Sequence, residues 1–127
     1  MNYFAEKSEE AVAIGLKNSG WRIVERNFRR PGSEIDIIAC KGDTLVFIEV
    51  KYRQSKPAGL SDVSSLLPYR KKLALQRGAR AFLDGTVEFE KFCWRFDLVL
   101  TWKGPTSRME YEYYPNAFEY FDTKNPT

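Results

Sequence analysis

Residues 33–53 read SEIDIIACKGDTLVFIEVKYR. EIDIIAC and TLVFIEVKY are rich in β-branched and aromatic residues, and Lys41-Gly42-Asp43 between them is a tight-turn signal in which Gly-Asp supplies a type II′ hairpin. Side chains alternate across a strand, so Glu49 and Lys51 share one face and Ile48 and Val50 the other; Glu34 and Asp36 likewise share a face. With Gly42-Asp43 as the loop, Lys41 pairs with Thr44, Asp36 falls opposite Glu49, and Glu34 falls opposite Lys51. With Lys41-Gly42 as the loop the pairing shifts by two and all four charges stay on one face. Only a bulge or an odd loop separates them.

Cross-strand partners have Cβ atoms about 4.5–5.5 Å apart, and like charges directly opposite one another are destabilising. Two arrangements offset the repulsion between Asp36 and Glu49: protonation of one carboxylate, or a divalent cation held by both. Leu45 and Phe47 precede Glu49 on its face while Val46, Ile48 and Val50 fill the other, so this strand reads as buried on both faces. The plain alternative is a set of cross-strand salt bridges, Glu34 with Lys51 and Asp36 with a nearby Arg. Two carboxylates and a backbone carbonyl, that of Val50, suit Mg²⁺ or Mn²⁺ rather than zinc. Such an ion acidifies a water, and Lys51 beside it orients that water or neutralises a phosphate.

The rest of the chain narrows the chemistry. It has 127 residues, which suits one domain over residues 1–121 followed by a polar tail at 122–127. There is no His, which removes Ser-His-Asp and Cys-His triads and His-ligated zinc; Cys40 and Cys93 give neither a disulfide framework nor a zinc pattern. No run is apolar enough for a membrane span or a signal peptide, so a cytoplasmic protein with no membrane partner and no small-molecule cofactor is expected. The net charge is +3, but residues 51–80 alone carry +7, from Lys51, Arg53, Lys56, Arg70, Lys71, Lys72, Arg77 and Arg80 against Asp62. That segment reads either as a solvated helix face or as a field that attracts a polyanion.

Residues 4–19 place Phe4, Ser8, Ala11, Val12, Gly15 and Leu16 at helical spacing. WRIVERNF predicts a strand ending at RRPGS, and residues 53–67 a long connection of the kind that is functional or disordered. A second helix runs from about Tyr69 to Leu83 with Leu75, Ala79 and Phe82 or Leu83 inward. CWRFDLVLTW and RMEYEYY predict two more strands, and Pro115-Asn116 a short terminal helical turn, NAFEYF. In RMEYEYY, Tyr111 and Tyr113 share a face that serves either core packing or a protein interface. The order αβββαββ predicts a mixed sheet flanked by helices.

With Asp36 and Glu49-Val50-Lys51 in these positions, the chain resembles the PD-(D/E)xK nuclease superfamily. More closely it is similar to the small bacterial YraN-type proteins, described as endonucleases related to archaeal Holliday junction resolvases. The resemblance runs through SEEAVAIGL, GWRIVERNFRR, SEIDIIA, LVFIEVKYR, KKLALQRGARAFL, RFDLVL and NAF. Ile35 stands where the motif's name has Pro, and Ser33 where relatives usually have Gly; neither change removes a ligand. The resemblance implies an α/β, restriction-endonuclease-like αβββαβ core and a catalytic set of Asp36, Glu49, Lys51 and Glu9. Asp36, Glu49, Glu9 and the Val50 carbonyl would hold Mg²⁺ or Mn²⁺. Beside the carboxylates, Arg53, Lys56 and the Arg70-Lys71-Lys72 cluster suit contacts to the DNA backbone; the resemblance gives Lys71 that role too and implies a homodimer. The expected function is cleavage of DNA, in branched or single-stranded forms met in recombination, repair or uptake. The alternative is a DNA-binding or protein-interaction module that kept the fold without cutting.

Overall fold

The hairpin forms where its turn chemistry places it. Gly42 adopts φ +61°, which a residue with a Cβ rarely takes, and Lys41 pairs with Thr44. The structure is a computed structural model describing residues 3–59 and 62–122. The elements are α1 (Tyr3–Asn18), β1 (Arg22–Arg30), β2 (Ser33–Lys41), β3 (Thr44–Tyr52), α2 (Tyr69–Asp84), β4 (Cys93–Lys103) and β5 (Met109–Phe118), with short 3₁₀ turns at Val63–Leu66 and Val87–Phe89. One five-stranded sheet runs β1-β2-β3-β4-β5. All neighbours are antiparallel except β3 and β4, which are parallel and joined through α2. This is a mixed α/β fold with a helix on each face, consistent with a restriction-endonuclease-like core. The long connection after β3 contains the first 3₁₀ turn, and its residues 60–61 lie outside the described residues, as do 123–127 of the expected tail.

Each sheet face has its own core. Val12, Ala13 and Leu16 of α1 pack on Ile37, Ala39, Val46, Ile48 and Val99. On the other face Leu75, Ala79 and Phe82 of α2 join Phe28, Ile35, Ile38, Phe47, Leu98 and Leu100. Burial of both faces explains why Leu45 to Ile48 is an unbroken apolar run.

Within β2, alternation breaks at Asp36. Ile35 packs toward α2 and Ile37 toward α1, so the strand slips by one residue across Asp36. β1 slips with it: Arg26 reaches Glu10 of α1 while Phe28 packs toward α2, and Asn27 between them sits at φ +54°. Because both strands slip together, Arg26 still pairs with Ile37 and Phe28 with Ile35.

Three expectations need correction. Glu34 does not face Lys51: β2–β3 pairing extends no further than Ile37 with Ile48, and Glu34 pairs instead with Arg29 of β1, side chain to side chain at 3.2 Å. The NAFEYF segment does not form a helical turn. β5 continues through Pro115 to Phe118 over a bulge in which Asn116 takes φ +53° and its N–H donates to Asp97 Oδ1 at 2.9 Å. Phe4 is not part of the inward stripe of α1; it is 39% exposed and Glu9 is buried instead. Tyr111 and Tyr113 do share a face, the one against α1: Tyr111 closes over Gly15, and the Tyr113 hydroxyl donates to the buried Asp97.

α2 is seated on the start of β2 by a close approach. Ser33 Oγ donates to the Ala74 carbonyl at 2.6 Å, and a Cβ added at Gly78 would fall against Ser33 Oγ and 2.9 Å from Ile35 Cδ1. In an unhindered helix Gly→Ala gains about 0.5–1 kcal/mol. At Gly78 the expected outcome is the reverse, a loss of about 1–3 kcal/mol through overpacking. Urea denaturation of Gly78→Ala checks this, and a variant as stable as the parent would show that α2 and β2 are not this close.

Candidate active site

The site forms where β2 parts from β3. Thr44, Val46 and Ile48 of β3 pair with Lys41, Ala39 and Ile37, and Val50 is the next residue to face β2. It meets no backbone carbonyl; its N–H donates to Asp36 Oδ2 at 2.7 Å. Asp36 and Glu49 are thus brought together as the sequence predicts, though by a side chain capping the ladder rather than by regular register. The N–H and C=O of one strand residue point the same way, so the Val50 carbonyl also faces the gap.

Glu49 is 6% exposed, with its side chain toward α2. Its Oε1 lies 3.3 Å from Lys71 Nζ. Its Oε2 is buried and has no hydrogen-bond partner, one of three such side-chain atoms among the described residues. Lys51, on the same side, donates to the Leu66 carbonyl at 3.2 Å, which ties the first 3₁₀ turn to the site. Glu49, Lys51, Arg70 and Lys71 line a cavity of about 430 Å³ together with Pro68 and Ala74.

Burial shapes the charges. Desolvation, then the Asp36 charge, pushes the Glu49 carboxyl up to about 7, against the pull of Lys71. Desolvation raises Asp36 as well, opposed by the Val50 N–H bond and by Lys71. Glu9 on α1 is pushed up to about 7, by desolvation first and Asp36 second. Desolvation lowers the Lys51 ammonium. All three carboxyls are thus raised, by burial first, and the Asp36 charge raises the other two further. Among the described residues no group of three or more His, Cys, Asp or Glu is arranged to hold a metal ion. The donor set that fits a hard divalent ion is narrower: the unpartnered Glu49 oxygen, Asp36 and the Val50 carbonyl, all oxygen.

The expected phosphate contacts separate. Arg70 and Lys71 reach the cavity; Lys72 donates to Ser64 Oγ at 2.6 Å; Arg53 donates to the neighbouring Tyr52 carbonyl at 3.3 Å; Lys56 is exposed and does not line the cavity. Sequence reasoning assigned Lys71 to nucleic acid and missed its pairing with Glu49. No local signal could have supplied that contact, because it joins the end of a strand to the first turn of a distant helix.

A family model described as "Uncharacterised protein family UPF0102" matches residues 8–101, which span every element from α1 to β4 and all of the residues above. A "UPF0102 protein" of Nitratidesulfovibrio vulgaris (strain DP4) is 39% identical over 119 residues, covering 93% of this chain and 85% of its own. One from Moorella thermoacetica is 44% identical over 94 residues, 74% of this chain and 76% of its own. One from Treponema pallidum (strain Nichols) is 34% identical over 113 residues, covering 87% and 88%.

The raised Glu49 carboxyl has a consequence for stability. Between its ordinary value of 4.5 and about 7 the folded chain keeps a proton that the unfolded chain has lost. Stability contributed by this group is therefore present below about 4.5 and falls as pH rises through about 7. Thermal melts in EDTA are expected to show Tm falling across that window, with a shallower slope for Glu49→Gln. Equal slopes in the two proteins would mean that Glu49 is not desolvated as the geometry has it.

Proposed function

Since the chain belongs to the uncharacterised protein family UPF0102, whose description assigns no activity, we propose its function from its own site: a cytoplasmic Mg²⁺- or Mn²⁺-dependent endonuclease hydrolysing DNA phosphodiester bonds. This reading makes the chain a PD-(D/E)xK nuclease related to archaeal Holliday junction resolvases, acting on branched or single-stranded DNA. Among the described residues no helix is long and apolar enough to cross a membrane. The observation that carries the reading is the unpartnered, buried Glu49 Oε2 beside Asp36 at the mouth of a cavity that also presents Lys51, Arg70 and Lys71.

Asp36, Glu49 and the Val50 carbonyl would hold the ion. When bound, the ion supplies Lewis acidity and an acidified water. Every other role belongs to the chain. Burial of Asp36 and Glu49 keeps solvent from screening their mutual repulsion, which a cation held by these residues would relieve. The Val50 N–H bond holds Asp36 in place. Lys51, anchored by the Leu66 carbonyl and eased toward its neutral form by desolvation, is poised to orient a water or to meet the scissile phosphate. Lys71 and Arg70 would neutralise an incoming phosphate, Lys71 exchanging its contact with Glu49 Oε1 for the phosphate oxygen. Glu9 supports Asp36 from the α1 side.

A second reading, a module that binds DNA or protein without cutting, is favoured by one observation: Lys71 already pairs with Glu49, so a cation must compete with it. The two separate on labelled single-stranded, branched and duplex DNA with Mn²⁺. Asp36→Asn, Glu49→Gln and Lys51→Met are each expected to lower cleavage by about 100-fold or more, and calorimetry should show Mn²⁺ binding to wild type that Asp36→Ala loses. No cleavage of any form, with identical blank titrations of both proteins and DNA binding that persists in EDTA, would establish the non-cutting module instead.

A further inference from the structure

A second cavity opens on the α1 side of Asp36, opposite the one lined by Glu49 and Lys51. It measures about 540 Å³ and is walled by Tyr3, Lys7, Glu9, Glu10, Arg26 and Asn27, a size within the range of about 300–1,000 Å³ typical of ligand sites. Tyr3 of its wall meets Phe4 edge-on at 5.4 Å, and Phe4, beyond the lining, stacks on Tyr52 with ring centroids 4.9 Å apart and planes 11° from parallel. Tyr3 is 61% exposed and Phe4 39%. Single exposed aromatics are ordinary. Here Phe4 links the other two rings, and Tyr52 is the residue directly after Lys51.

Two further features restrict what enters. Arg26 Nε and Asn27 Oδ1 are buried in the wall without hydrogen-bond partners, one a donor and one an acceptor. The acidic side chains of Glu6, Glu9 and Glu10 outnumber Lys7 and Arg26, and Arg26 is already held by Glu10 at 2.8 Å. With Glu9 pushed up to about 7 by burial, such a lining still carries no excess of positive charge to hold a phosphate. A nucleobase is uncharged, has flat faces for stacking, and carries both donors and acceptors on its edge. Lys51, Arg70 and Lys71, which suit a phosphate, lie in the other cavity.

Resting on the nuclease reading above, we propose that this cavity and its aromatic rim form a subsite for an unpaired nucleobase. A DNA strand then straddles the end of β3, with its phosphate on the α2 side and a base on the α1 side. A base stacked and paired within a duplex cannot enter without being extruded, which costs a few kcal/mol, so the substrate class is DNA with unpaired nucleotides.

The test is fluorescence anisotropy in EDTA with a labelled oligonucleotide, single-stranded and as a full duplex, using wild type, Tyr3→Ala and Tyr3→Phe. Tyr3→Ala is expected to weaken single-strand binding about fivefold or more and to leave duplex binding within about twofold. Tyr3→Phe, which keeps the ring, should match wild type. Thermal melts confirm that each variant folds, which the exposure of Tyr3 favours; Phe4→Ala provides an independent second variant with the same expected selectivity. Single-strand binding that neither variant changes, or a loss equal on both DNA forms, overturns the subsite alone. Wild type that binds neither DNA form overturns the subsite together with the DNA reading.

Discussion

The bond from the Val50 N–H to Asp36 Oδ2 is the constraint on which the site depends. Where β2 leaves β3, a backbone donor at the end of a core strand loses its ladder partner, and an unpaired buried N–H is costly. The carboxylate replaces the missing carbonyl. A charge-assisted bond is stronger than the neutral one it replaces, and here it opposes the rise that burial imposes on the Asp36 carboxyl. The slip at Asp36, mirrored by Asn27 at φ +54°, turns this carboxylate toward the gap while Arg26 still pairs with Ile37 and Phe28 with Ile35. A regular ladder would have carried Glu34 round to the α2 face with Asp36. The slip instead delivers one carboxylate to Glu49 and leaves the other with Arg29.

Around that bond the charges are deliberately unbalanced. Glu49 has Lys71 on one oxygen and nothing on the other, and Asp36 raises it further. Replacing such a cluster with apolar side chains would often stabilise a fold. Local rules that a protein breaks without structural gain concentrate at functional sites. The neighbouring buried Asp97 is a useful contrast: it takes Arg95 Nε at 3.0 Å, the Tyr113 hydroxyl and the Asn116 N–H, and so is fully engaged in pinning the β5 bulge. One buried carboxylate is satisfied by structure; the other pair is not.

The same contrast explains what the sequence revealed. Hairpin, register and double-sided burial of β3 were legible because they follow from turn chemistry and strict alternation, and both hold from Lys41–Thr44 to Ile37–Ile48. That Asp36 acts on Glu49 was legible as well, but not the Val50 N–H cap that holds it there once the β2–β3 pairing has ended. Failures came where one residue departs from its usual backbone. Asn116 at φ +53° let β5 pass through a segment that Pro115-Asn116 marked as a stop, because Asp97, distant in sequence, accepts its N–H. Phe4 sits at helical spacing with the core residues, but Tyr52 draws its ring out over the sheet end. Glu9 had no local distinction from Glu6 or Glu10; only the resemblance singled it out, and its burial follows from where α1 crosses β2 and β3.

α2 brings a second kind of imbalance to the same place. Its first turn carries Arg70, Lys71 and Lys72 and no acidic residue, with Pro68 at the N-cap and no side-chain cap bond. The N-terminus of a helix is the positive end of its dipole, so cations there are disfavoured, typically by 0.3–1 kcal/mol each. The sequence therefore puts three cations where the helix tolerates them least. Two are relieved by acceptors, Lys71 by Glu49 and Lys72 by Ser64. The Ser33–Ala74 bond and the bare Gly78 then press this positive end toward β2 and the acidic site. Helix dipole and side chains add to a single positive field on the α2 side of the cavity of Glu49 and Lys51. Anions on the sheet and cations on the helix are each strained alone, and each is what makes the other tolerable in the resting protein.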